Sequence, residues 1–179
     1  MRLRRHASLA LCFALCSASS LRAQWSVSPA VALGVAVPAG ALADAVGEGV
    51  ALKAGLWMRA PRVPVGFTIE GMYAHFGHGA STVGGERVSL SGLTANVTTR
   101  RHDRRLDLYG VAGGGWYWMH GSREPFPERQ APGLNIGVGE VVALGAADYF
   151  VELRVHAIRT PSRSAPWKTF MPLVLGVRF

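Results

Sequence analysis

The chain has 179 residues and a formal net charge of +8, which suits one domain and is short for two. Four of the basic residues, Arg2, Arg4, Arg5 and Arg22, fall in the first 23 positions, and without them 15 basic residues face 11 acidic ones, a balance of +4. The remaining charge is dispersed apart from Arg100, Arg101, Arg104 and Arg105, so no continuous footprint for nucleic acid is present and no nucleic-acid partner is expected.

Residues 1–23 differ from everything after them. Arg2, Arg4 and Arg5 lead into the apolar stretch ASLALCFALCSASS, and Leu21-Arg22-Ala23 offers a small residue before Gln24. That order reads as a secretory signal peptide cleaved between Ala23 and Gln24. The apolar run is too short for an anchor helix, which needs about 20 residues. Lipoprotein processing is not expected, because Cys12 and Cys16 each follow a leucine. With both cysteines in this segment, residues 24–179 carry none, which excludes a disulfide framework and a cysteine metal site there.

After the leader the dominant period is two. The first segment sets Trp25, Val27, Val31, Leu33, Val35 and Val37 against Ser26, Ser28, Ala30, Ala32, Gly34 and Ala36. The second, about 49–60, opposes Val50, Leu52, Leu56 and Met58 to Ala51, Lys53, Gly55 and Arg59. The third, about 65–76, opposes Phe67, Ile69 and Tyr73 to Gly66, Thr68 and Glu70. The fourth, about 87–100, is the weakest and sets Leu93, Ala95 and Val97 against Thr94, Asn96 and Thr98. The fifth, about 106–119, sets Leu108, Trp116 and Trp118 against Asp107, Tyr109, Gly113, Gly115 and Tyr117. The sixth, about 133–144, alternates Leu134, Ile136 and Val138 with Asn135, Gly137 and Gly139. The seventh, about 148–159, alternates Tyr149, Val151, Leu153 and Val155 with Glu152, Arg154 and His156. The eighth, about 169–179, alternates Met171, Leu173, Leu175, Val177 and Phe179 with Pro172, Gly176 and Arg178.

Each segment has the ten or so residues that cross a bilayer when tilted. Their connections alternate: short near 61–64, 101–105 and 145–147, longer near 38–48, 77–86, 120–132 and 160–168. The bulky face is too large for the inside of an eight-stranded barrel, so it is expected outward. The small face then lines the interior and carries Lys53, Arg59, Glu70, Asp107, Glu152, Arg154, His156 and Arg178. Charge in so narrow a space is tolerable when paired. A direct turn at 61–64 places Lys53 diagonal to Glu70. The expected fold is therefore all-β, an eight-stranded antiparallel up-and-down transmembrane β-barrel over residues 24–179. Its girdles would be Trp25, Phe67, Tyr149 and Phe179 at one rim, and Tyr73, Trp116 and Trp118 at the other. Trp57, inward by parity, and Glu140, outward, break the pattern; a β-bulge would repair either.

The chain resembles the bacterial outer-membrane β-barrel family of the small eight-stranded type, similar to outer-membrane proteins A and X. Residues 24–179 carry the resemblance, chiefly through the ending MPLVLGVRF and the strands GVAGGGWYW and FVELRVH. The resemblance implies that Met171, Leu173, Leu175, Val177 and Phe179 form the signal read by the barrel-assembly machinery. It also implies that short turns and both termini face the periplasm, that the partners are outer-membrane lipid and lipopolysaccharide, and that the protein is a monomer. No peptidoglycan-binding module is expected after Phe179.

Chemistry-bearing constellations are few. Gly113-Gly114-Gly115 precedes a strand rather than a helix with Lys and Ser or Thr, so it makes room rather than cradling phosphate. His120-Gly121-Ser122 with Glu124 resembles the His-x-Ser pair of lipid A deacylases, without their neighbouring residues. Glu152, Arg154 and His156 read as an interior salt-bridge set. His75, His78 and His120 have no spacing that fixes a metal. Arg159, Arg163 and Lys168 surround the last long connection, where they read equally as contacts for lipopolysaccharide phosphates and as a solvated loop. The basic turn at 100–105 stays at the periplasmic rim. The expected role is structural or surface-interacting, without enzymatic activity, cofactor or metal. The alternatives are a lipid A-modifying enzyme using His120 and Ser122, a narrow channel, and a soluble lipocalin-like carrier.

Overall fold

The computed structural model describes residues 25–61, 63–78, 87–102, 107–121, 129–161 and 166–179. The leader, with its proposed cleavage point at Ala23 and Gln24, lies outside them, as do Ser122, Glu124 and Arg163. Eight strands form the fold: β1 (Ser26–Ala39), β2 (Val46–Arg59), β3 (Val65–His78), β4 (Val88–His102), β5 (Asp107–Gly121), β6 (Arg129–Leu144), β7 (Ala147–Arg159) and β8 (Trp167–Arg178). Each pairs antiparallel with its sequence neighbours, and β1 closes on β8, so the barrel has no free edge. Closure gives each strand two hydrogen-bonding partners, which is what lets a sheet exist in lipid.

The strands are slanted. Following paired residues from Arg101 through Leu108, Glu140, Val151, Leu175, Leu33, Leu52 and Tyr73 returns to β4 at Ser91, ten residues from the start. That stagger ties strand number to tilt and diameter. β2 begins at Val46, earlier than its sequence pattern indicates, because a register shift between Val46 and Gly49 breaks the strict alternation there. The connection from β1 to β2 is accordingly compact: a single 3-10 turn, Gly40–Leu42, whose Leu42 is buried against the lumen. At the opposite end Gly145, with φ of 67°, opens the two-residue turn between β6 and β7. A left-handed φ of this kind favours glycine. In the β7–β8 register, pairing passes from Leu153–Leu173 to His156–Phe170. The gap lies at Pro172, which has no N–H to donate.

The two faces sort as bulk dictates. Leu33, Ile136, Val138 and Leu175 are exposed, the last at 67%. Trp25, Phe67, Tyr73, Trp116, Trp118, Tyr149 and Phe179 are also on the outer face, joined by Trp167 at the start of β8. Trp25 and Phe67 lie together, ring centroids 5.9 Å apart. Glu70, Glu152, Arg154 and His156 are buried inside. This is the reverse of a water-soluble barrel, in which the apolar face is the hidden one.

The small inward face is less uniform than the sequence pattern indicates. Trp57 stays inward and needs no bulge: the β1–β2 and β2–β3 registers run unbroken past it, and it is buried. Tyr109, Tyr117, Phe76, Phe150 and Phe170 join it inside. Glycines of adjoining strands provide the space. A Cβ on Gly133 or on Gly92 would come within 2.7 Å of the Tyr117 ring, and one on Gly139 would collide with Tyr109. Large rings therefore nest where neighbours have no side chain. Glu140 likewise stays outward with its register intact, between Leu108 and Val151.

Candidate functional site

The lumen is filled, in layers. Its middle is polar. Parity along β2 and β3 pairs Gly55 with Glu70, so Lys53 sits diagonal to Glu70, and its Nζ is 3.2 Å from Glu70 Oε1. The same Nζ donates to Glu152 Oε1 at 2.7 Å. Arg154, two positions along β7 from Glu152, spans the lumen. Its Nη1 donates to Glu70 Oε2 at 2.6 Å and its Nη2 to Glu152 Oε2 at 2.8 Å. Two cations and two carboxylates thus neutralise one another, which offsets part of the desolvation that burial costs each ion.

Neutral groups take up the remaining lone pairs. Asn96 Nδ2 donates to Glu70 Oε2 and to Thr68 Oγ1, each at 3.0 Å. Asn135 Nδ2 donates to Asn96 Oδ1 at 2.8 Å. Tyr109 donates its hydroxyl to Glu152 Oε2 at 2.9 Å. Six strands, β2 through β7, therefore contribute to one network. Among the described residues Arg154 Nε has no hydrogen-bond partner, so Nη1 and Nη2 carry its bonding.

Aromatic rings close both sides of this layer. Below it, toward the turns and termini, Trp57 packs edge-on against Tyr109 at 5.1 Å and tilted against Phe150 at 5.8 Å. Above it, Tyr117 shares a 2.8 Å hydrogen bond with His156 Nδ1. His156 stacks on Phe170 at 4.8 Å, and Phe170 meets Phe76 edge-on at 5.8 Å. Val46, Val88, Leu90, Met119 and Ile158 complete an apolar seal beyond that. No continuous polar path crosses the described lumen, and the narrow-channel alternative finds no support in it.

The other sequence-derived residues divide by depth. Asp107 pairs with Arg100 and Arg178 with Asp148 at the lumen mouth, where Arg59 also lies. Met171, Leu173, Leu175 and Val177 hold the outward positions of β8, and the Phe179 N–H donates to Pro29 O at 3.0 Å. His120 is exposed on β5 opposite Ser89 of β4. His75 Nδ1 is 2.9 Å from Ser89 Oγ, which also accepts from the Tyr73 hydroxyl at 3.1 Å. No group of three or more His, Cys, Asp or Glu side chains among the described residues is placed to hold a metal. Lys168 donates to Ala41 O at 3.3 Å, while Arg159 is exposed.

Parity along the sequence marks Trp57, Tyr109, Asn96, Asn135 and Phe150 as inward, so the signal for all five was present. The alternation placed Asn96, Tyr109 and Asn135 on the inward face and Trp57 inward by parity, without assigning them to the charged network, and it did not single out Phe150. Parity gives the face of a side chain but not its partners on other strands.

No protein-family model and no curated protein matches the chain. Solved structures do. Neisserial surface protein A superposes with a TM-score of 0.67 at 14% identity, covering 86% of this chain and 97% of that one. A major outer membrane protein from Thermus thermophilus superposes with a TM-score of 0.56 at 14% identity, covering 86% of this chain and all of that one (100%). At these identities the likeness establishes a shared fold, the small closed eight-stranded barrel.

Proposed function

We propose that this chain is an integral bacterial outer-membrane β-barrel with a non-enzymatic structural or surface-contact role. The observation that carries the reading is the inverted polarity of a closed barrel. An apolar belt faces outward all the way round, while four charged side chains meet in the middle of the lumen. Water would penalise so large an exposed apolar surface, whereas lipid requires it. The fold shared with two surface and outer-membrane proteins supports the same compartment.

In this reading the aromatic rims sit at the two membrane interfaces. The short turns and both strand termini face the periplasm, and the longer connections face outward toward lipopolysaccharide. The partners are outer-membrane lipid and the barrel-assembly machinery, the latter engaging Met171, Leu173, Leu175, Val177 and Phe179. The barrel acts as a monomer. The sealed lumen supports a scaffold rather than a conduit.

Fractionation and heat-modifiable gel migration test the proposal. A folded species in the outer-membrane fraction, running faster before boiling than after, is the expected result. Recovery as a soluble periplasmic protein with no shift on boiling would overturn it. Lipid A mass spectra unchanged by expression are expected. A change abolished by Ser122→Ala would instead establish the deacylase reading.

A further inference from the structure

We propose that the mouth of the lumen where β1 begins and β8 ends is a binding site for a single oxyanion group, a carboxylate or a phosphate. The mouth is a cavity of about 240 Å³ whose wall is mainly polar. Arg59 of β2, Arg100 of β4 and Arg178 of β8 reach it, with Ser28 of β1 and Asp148 of β7. Its floor is Trp57, with the Arg178 guanidinium 5.0 Å from the ring centroid.

The charges there do not cancel. Arg178 pairs with Asp148, and Arg100 pairs with Asp107. Arg59 has no ion-pair partner among the described residues, although it is partly buried in the same cavity. Among the described residues, three guanidiniums against two carboxylates leave one positive charge in a recess with low-dielectric walls, which concentrates field toward an anion. The unused hydrogen-bonding capacity is of the donor kind too. A guanidinium presents only N–H groups, in a fork that matches two oxygens of a carboxylate or phosphate. A cation would meet net repulsion, and an apolar group would strand these donors. One oxyanion would engage Arg59, take a further bond from the Ser28 hydroxyl, and complete the pairing that the central network achieves internally. The site rests on lumen geometry and stands whichever side of the membrane this mouth faces.

Trp57 makes the site observable. The full-length mature barrel, folded in detergent micelles and checked by heat-modifiable migration, is titrated with sodium phosphate and separately with sodium acetate. Chloride holds ionic strength constant, and tryptophan emission is the readout. A saturable change with at least one of the two anions is expected. It should vanish in Trp57→Phe, and in Arg59→Gln its half-saturation should rise by about tenfold, the effect of losing one strong charge-assisted contact. Saturation by phosphate alone assigns a phosphate ligand, and saturation by acetate assigns a carboxylate. A response no different from chloride, one that persists in Trp57→Phe, or one unchanged in folded Arg59→Gln overturns the proposal.

Discussion

The lumen carries charge at two depths, and the two sets are partnered differently. In the middle, Lys53, Glu70, Glu152 and Arg154 are balanced two against two, and the last three are almost wholly enclosed. At the mouth, among the described residues, Arg59, Arg100 and Arg178 outnumber Asp107 and Asp148, and Asp148 keeps 31% of its side-chain surface exposed. An ion at the mouth can exchange a lost partner for water. An ion in the middle cannot, because aromatic layers lie on both sides. Depth, more than distance, therefore sets what each pair contributes.

The largest effect is expected from Arg154→Met. It leaves Glu70 and Glu152 with only Lys53, and orphaning a buried charge costs about 3–5 kcal/mol. Urea unfolding in lipid vesicles, followed by gel migration, measures it. A loss below about 1 kcal/mol, the ceiling for exposed pairs, would break the comparison. Gly139→Ala comes next. It sits in neither charged set, but its new methyl collides with the Tyr109 ring that divides them. Overpacking of this kind costs about 1–3 kcal/mol, and the same unfolding midpoint should fall accordingly. Tyr117→Phe removes only the hydroxyl, which is bonded to His156 and also to Asn135. A loss of about 1–2 kcal/mol is expected for buried neutral hydrogen bonds of this kind. That sharpens the comparison by giving the value of a neutral contact in the buried layer next to the central network.

Asp148→Asn at the mouth should have the smallest effect, about 0–1 kcal/mol, in line with solvent-exposed pairs. It should also shrink further in high salt, since screening acts on exposed charges over about 10 Å at 0.1 M. Equal costs for Asp148→Asn and Arg154→Met, at any salt concentration, would remove the distinction between the two layers.

Much of this was written in the alternation of the chain. Strand count, the outward placement of Leu134, Ile136 and Val138, and the inward placement of Glu152, Arg154 and His156 all follow from a period of two, a property of local backbone geometry. The diagonal relation of Lys53 to Glu70 needed only one short turn as well. The deacylase residues give a contrasting case. His120 is on the outer face, but Ser122 lies outside the described residues. His75 instead approaches Ser89, a residue of the neighbouring strand that no sequence spacing connects to it.

By itself the sequence determined which side chains face lipid and which face the lumen, because that choice is made within each strand. Only the tertiary structure decided which inward side chains share a depth. Arg154 reaches Glu70 across the barrel because β1 closes on β8 with a ten-residue stagger, bringing strands distant in sequence to opposite walls of one narrow space. The same closure lets Trp57, Tyr109 and Phe150 meet as a floor, with Tyr109 accommodated at Gly139 and Phe150 at Gly176. Register around a closed sheet is a global quantity, set by all eight pairings together, and no single segment of the chain contains it.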